Sequence, residues 1–265
     1  MSPSSSRISL PAIDLQRLTL NSTPSLVVGG VDDLWHNEKP FQMAIDWFPL
    51  RLSLEVAALA TLISLILGIW LAWLLANKHF RGKDLLDALT TLPLALPPTV
   101  LGYYLLVVIG RASWIGEAWE KITGSPLVFT WRAAVIASTL HAIPLLVKSS
   151  RAALENVDRS YEKAARSLGA SEWRLFWRVS IPLARRPVAA ATALAFARSL
   201  GDFGATLMIA GDIPGRTQTA AIAIYDAAES GNTLVARTLV IVISILTAAI
   251  VYLANRLEQR RHGPA

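Results

Sequence analysis

Residues 56–76 read VAALATLISLILGIWLAWLLA, twenty-one positions with neither a charge nor a proline and with two tryptophans near the far end. A bilayer core of about 30 Å is crossed by roughly 20 apolar residues in α-helix, so this run is long enough to span a membrane. Four more runs approach that standard. Residues 88–110 are interrupted by Pro93, Pro97 and Pro98, and residues 131–147 carry Arg132 near one end and contain His141 and Pro144. Residues 187–211 contain Arg198 and Asp202, and residues 237–255 are as clean as the first run. The expected fold is therefore all-α, a polytopic membrane protein with five transmembrane helices, or six if part of residues 112–130 re-enters the membrane. Composition agrees: 53% of the chain is hydrophobic and only 17% charged, against about 25% charged in soluble domains.

Where the charges fall gives an orientation. The formal net charge of +6 could suggest a nucleic-acid partner, but Lys and Arg collect on cytoplasmic loops of membrane proteins. Residues 77–84, 148–186 and the tail from Arg256 hold three, nine and three basic residues; the alternate segments 1–46, 111–130 and 212–233 hold three, two and one. The bias places the N-terminus outside, with the long loop and the C-terminus in the cytoplasm. A soluble helical protein accounts for any one apolar run but not for five with a coherent bias.

The domain division expected is an extension over 1–46, a transmembrane domain over 47–258 containing the cytoplasmic loop 154–186, and a short tail over 259–265. The extension is Ser/Pro-rich at its start and carries five acidic residues against three basic ones. It lacks the apolar core and cleavage site of a signal peptide, and a short amphipathic helix is drawn near its end. The absence of cysteine removes disulfides, thiolate metal sites and cysteine nucleophiles.

The long loop reads LENVDRSYEKAARSLGASEWRLFWRVSIPLARRP from Leu154. Asp158 or Ser160 can cap a first helix that Gly169 ends in the left-handed conformation. Ser171 can cap a second, with Trp173, Phe176, Trp177, Ser180 and Ile181 at helical spacing, and Pro182 is expected to stop it. An interfacial helix on anionic lipid would also be basic and tryptophan-rich, but the glycine turn and closing proline favour docking to a protein.

Lys163-Ala164-Ala165, Gly169 and Val179-Ser-Ile-Pro182 resemble the E-A-A, three residues, G, nine residues, I-x-L-P loop of ATP-binding-cassette (ABC) importer permeases, with Lys163 in the glutamate position and Glu162 just before it. The wider chain, over about residues 49–260, is similar to the membrane subunit of molybdate importers. The stretches TLPLALPPTVLG at 91–102, FARSLGDFGAT at 196–206 and GDIPGRTQT at 211–219, leading to Ala223-Ile-Tyr225, carry that similarity. Sulfate and thiosulfate permeases share much of residues 196–205; the Ile213-Pro-Gly segment with its threonines tips the resemblance toward molybdate.

The resemblance implies a type I ABC importer transmembrane domain working as a homodimer with two cytoplasmic ATPase subunits, which bind ATP and Mg, and an extracytoplasmic molybdate-binding protein. It implies that Glu162, Lys163, Ala164, Ala165, Leu168, Gly169 and Ala170 contact the ATPase, the Leu168–Gly169–Ala170 turn entering its groove. No cofactor is expected on this chain. Molybdate, tungstate and sulfate are all tetrahedral dianions, so tungstate and sulfate or thiosulfate stay open as cargo.

Charged residues inside a span are costly and usually face a bundle interior or a water-filled path. Arg198 and Asp202, spaced i,i+4, can neutralise each other; alternatively Arg198, with Ser199, Asp202 and Gly204, lines an anion path. Gly201, Gly204, Gly211 and Gly215 suit close helix packing. His141 has no ligand-spaced partner and reads as a packing residue, since metal sites need several ligands. Trp70, Trp73, Trp114, Trp119 and Trp131 lie near span ends, as in an aromatic belt. The sequence contains no P-loop, nucleophile elbow or H-E-x-x-H segment, so no ATPase or familiar hydrolase chemistry resides here. A membrane scaffold and a membrane-embedded enzyme remain the competing classes.

Overall fold

The computed structural model describes residues 46–78 and 80–259, and among them the regular structure is entirely helical. The expected extension and its amphipathic helix, apart from residue 46, and all but the first residue of the expected tail lie outside the described residues.

The first helix, α1 (Phe48–Asn77), begins where the Phe48 amide donates to Asp46 Oδ1 at 2.8 Å, with Pro49 in its first turn. Thirty residues at about 1.5 Å each exceed the thickness of a bilayer core. The helix is apolar on all sides, yet only one stripe is buried: Leu52, Val56, Ala60, Ser64, Gly68, Ala72 and Leu75. Small residues on that stripe let the backbones approach. At Gly68 an added Cβ would lie 3.0 Å from Leu146 Cβ of a later helix. The opposite face exposes Leu62, Ile66 and Trp70, as a lipid-facing surface requires.

The second apolar run is not one helix. It divides into α2 (Lys83–Ala95) and α3 (Pro98–Ile109), bent by 116°. Leu96 precedes a proline and is extended, as proline sterics demand, and Pro97 is extended too. Pro93 stays inside α2, so the break belongs to the Pro97–Pro98 pair. Next, α4 (Trp114–Thr123) is capped by Ser113 and ended by Gly124. Its ten residues extend about 15 Å, too short for a sixth span.

The central helix is α5 (Trp131–Glu155), capped by Thr130. Its most apolar stretch is 67% buried, whereas that of the last helix, α11 (Thr233–Gln259), is 6% buried. Thus α5 forms the core, against α1 and α8, and α11 lies at the periphery. Three helices are long and apolar enough to cross a membrane, or up to five if each bent pair is one span.

After α5 come α6 (Arg159–Ser167), α7 (Glu172–Leu175), a π-turn (Phe176–Ser180), α8 (Ile181–Leu200), α9 (Gly204–Ala210) and α10 (Ala220–Glu229). Here the expectation that Pro182 stops the second loop helix fails. The chain runs helically from Glu172 to Leu200 and bends by 58° only at the break before α9. The Ile181 amide donates to the Phe176 carbonyl, five residues back. That wider turn relieves the clash of a proline ring with the preceding turn, so Pro182 continues the helix.

Candidate coupling element and intramembrane cluster

The loop forms the helix, glycine turn and helix expected of it. Asp158 caps α6 by accepting from the Ser160 amide at 2.8 Å. At the other end Gly169 has φ +78°. The Gly169 amide donates to the Arg166 carbonyl at 2.9 Å and the Ala170 amide to the Ala165 carbonyl at 3.0 Å, a Schellman closure. Across the turn Arg166 grips Glu172 with two bonds, 2.8 and 3.3 Å, and the guanidinium holds the Glu172 carboxyl below its usual range. The turn is therefore fixed from both sides while its tip stays bare: the Leu168 residue is 89% exposed.

The adjacent acidic and basic residues have separate fates. Glu162 turns inward and accepts from Ser180 Oγ at 3.1 Å, in the π-turn, whereas Lys163 is exposed. Ala164 is exposed, and Ala165 and Ala170 are half-buried. Trp73 at the end of α1 meets Phe176 at 5.6 Å between ring centroids, and Phe176 meets Trp177 at 5.2 Å. Motion of the turn therefore has a short route into α8 through Glu162–Ser180 and into α1 through these rings. The nine basic residues are not one surface: Arg151 bridges Asp87 on α2 and Glu155 at 2.9 and 2.8 Å.

The intramembrane residues cluster at the break between α8 and α9. Arg198 Nη1 is 3.6 Å from Asp202 Oδ1, too far for a hydrogen bond, and the Arg198 side chain is 34% exposed. Asp202 has nearer partners. Thr206 Oγ1 donates to its Oδ2 at 2.6 Å, and His141 Nδ1 lies 2.8 Å from its Oδ1. His141 therefore packs against a carboxylate that local spacing does not show, in the break between α8 and α9. The His141 approach is short but not collinear. Neither His141 Nδ1 nor Asp202 Oδ1 has a hydrogen-bond partner among the described residues, so the pair is a close contact of two buried polar groups. Ser199 is buried with its hydroxyl unpartnered.

Gly204 and Gly102 bring the two bent spans together. A Cβ on Gly204 would stand 3.0 Å from Pro98 Cβ, and one on Gly102 would stand 2.7 Å from Met208 Cβ. Phe129, at the unusual φ of +58°, donates its amide to the Ile209 carbonyl at 2.7 Å and ties the end of α9 to the segment before α5. Of the tryptophans expected in a belt, Trp70, Trp114 and Trp131 are exposed. Trp119 instead packs against the core and stacks with Arg132. Among the described residues no group of His, Cys, Asp and Glu could hold a metal.

This architecture has known counterparts. Residues 64–262 match the family described as binding-protein-dependent transport system inner membrane component. The molybdenum transport system permease protein ModB of Escherichia coli (strain K12) is 44% identical over 222 residues, covering 82% of this chain and 97% of that protein. A probable sulfate transport system permease protein of Chlorokybus atmophyticus is 37% identical over 177 residues, 67% of this chain and 62% of that one. A crystal structure of a bacterial ABC transporter that imports the acidic polysaccharide alginate superposes with a TM-score of 0.64 at 14% identity, covering 87% of this chain and 84% of the solved one. The helix–glycine–helix loop, the bent spans and the extent of these matches agree: the chain belongs to the binding-protein-dependent inner-membrane transport permeases.

Proposed function

We propose that this chain is the permease subunit of an ABC importer that moves molybdate across the inner membrane by alternating access, energised by a separate ATPase. The observation that carries the coupling is the rigid turn at Leu168, a bare apolar tip, 89% exposed, on a hairpin wired to α1 and α8. An apolar side chain held in a fixed turn and left bare gains free energy when a partner buries it. Cargo rests on the 44% identity to a molybdenum permease across nearly its whole length.

In this reading the N-terminus is outside and the loop is cytoplasmic. Two copies enclose the path, two ATPases sit on the two loops, and an extracytoplasmic binding protein delivers the anion. ATP binding draws the ATPases together; the Leu168 turn transmits that motion through Glu162–Ser180 and opens the spans outward. Hydrolysis resets the inward-facing state. The chain itself contributes no catalytic group.

Arg198 lines the path. Its 3.6 Å separation from Asp202 leaves the guanidinium available to a dianion, and a single such cation assists passage without trapping the cargo. Arg198→Gln should raise the KM for anion uptake about tenfold, the effect of one charge-assisted contact, while the ATPase still co-purifies; loss of assembly instead would make Arg198 a purely structural residue. Sulfate is the second reading, favoured by the 37% identical sulfate permease. Uptake of labelled molybdate that equimolar sulfate abolishes would move the cargo assignment to sulfate; undiminished uptake supports molybdate.

A further inference from the structure

We infer that His141 is a positioning residue for anion passage: by lying against Asp202 it keeps that carboxylate from closing to hydrogen-bond distance on Arg198. The inference rests on the reading that Arg198 meets the anion. On one helix, an arginine and an aspartate at i,i+4 would be expected to close on each other. Here the guanidinium stays 3.6 Å from Oδ1, an ion pair without a hydrogen bond, and Asp202 lies in the break after α8, where His141 of α5 approaches the same oxygen more closely. His141 and Asp202 side chains are 2% and 1% exposed, so each needs a partner where water is scarce. Oδ2 accepts from Thr206 Oγ1 at 2.6 Å, while His141 Nδ1 lies 2.8 Å from Oδ1, a close contact without hydrogen-bond alignment. Arg198 is left at 3.6 Å with a third of its side chain exposed. His141 Nδ1 and Nε2 are both buried without a hydrogen-bond partner among the described residues, and it is the Nδ1 edge that faces Asp202, at 2.8 Å.

Two substitutions separate this role from packing. Asparagine places its amide nitrogen near the position of Nδ1, whereas glutamine reaches toward that of Nε2. In complexes reconstituted with the ATPase and binding protein, His141→Asn should keep the KM for molybdate uptake within about twofold of the parent. His141→Gln should raise it about tenfold with little change in Vmax, because Asp202 then takes Arg198. Adding Asp202→Asn to His141→Gln should restore a KM within about threefold of the parent, since a neutral amide no longer holds the guanidinium. Equal KM values for the two single variants, absence of rescue, or a His141→Gln chain that no longer co-purifies with its ATPase would overturn the inference. Arg198→Gln is the companion measurement. If it leaves KM unchanged, the path reading itself falls; if it raises KM while His141→Gln does not, only the role of His141 falls.

Discussion

Replacing Leu168 by aspartate should abolish ATP-driven uptake and release the ATPase from the complex, while the permease itself remains folded. Leu168 is 89% exposed and closes α6 through a backbone bond from its own amide to Ala164, so its side chain contributes nothing to the chain's own core. Burying a leucine stabilises an interface by about 1.5–3 kcal/mol, and an unpaired carboxylate in the same groove costs several more. Together these amount to at least a hundredfold loss of affinity, since about 1.4 kcal/mol is tenfold. Co-purification with the ATPase and thermal unfolding of the permease read the two halves of the expectation. Normal ATPase retention by Leu168→Asp would show that the turn is not the docking anchor. Gly169→Ala is a gentler probe: its Cβ would meet nothing within 4 Å, so its effect reduces to the strain of φ +78°, about 1–2 kcal/mol.

Gly102→Val should destabilise the permease, and the cause lies where the bent spans meet. An added Cβ would come within 2.7 Å of Met208 Cβ and 3.1 Å of Ala205 Cα. One of these atoms is backbone, so rotating a side chain does not relieve the crowding. Overpacking of this kind costs about 1–3 kcal/mol, and the two γ-methyls of valine push toward the upper end. Because α3 and α9 are the second halves of the bent pairs, separating them also displaces the break at residues 201–203. The expected result is a lowered midpoint in detergent unfolding, with loss of uptake. A valine variant that melts like the parent would mean that α3 and α9 do not touch at this point.

The sequence makes the straight spans and the coupling turn readable because both depend on local chemistry. An uncharged run as long as residues 56–76 has few alternatives to crossing a membrane, and a glycine such as Gly169, three residues intervening after Ala164-Ala165, suits the left-handed position that closes a helix. Prolines were harder. Pro97–Pro98 breaks its span and Pro182 does not, although both look alike in sequence; the difference is a π-turn, whose extra residue per turn no composition reveals. Expected span starts shifted for the same reason, since the fourth run is helical well before residue 187. His141 reads as a packing residue, but what it packs against, Asp202 in the break after α8, is hidden, because local spacing carries no information about contacts between distant segments. The signal available is thermodynamic: a histidine with no local partner and an aspartate with only Arg198 beside it, both in apolar runs, have reason to lie together. The inward turn of Glu162 was equally hidden, since its partner Ser180 belongs to the other side of the loop.

The central claim is that this chain carries a tetrahedral oxyanion inward when a separate ATPase acts on its loop. The most direct measurement is uptake of radiolabelled molybdate into proteoliposomes containing this chain, its ATPase and the binding protein, with ATP on the ATPase side. The account predicts accumulation that requires all three proteins and ATP hydrolysis and that is lost with Leu168→Asp. Absence of ATP-dependent uptake of both molybdate and sulfate by the intact complex would contradict it.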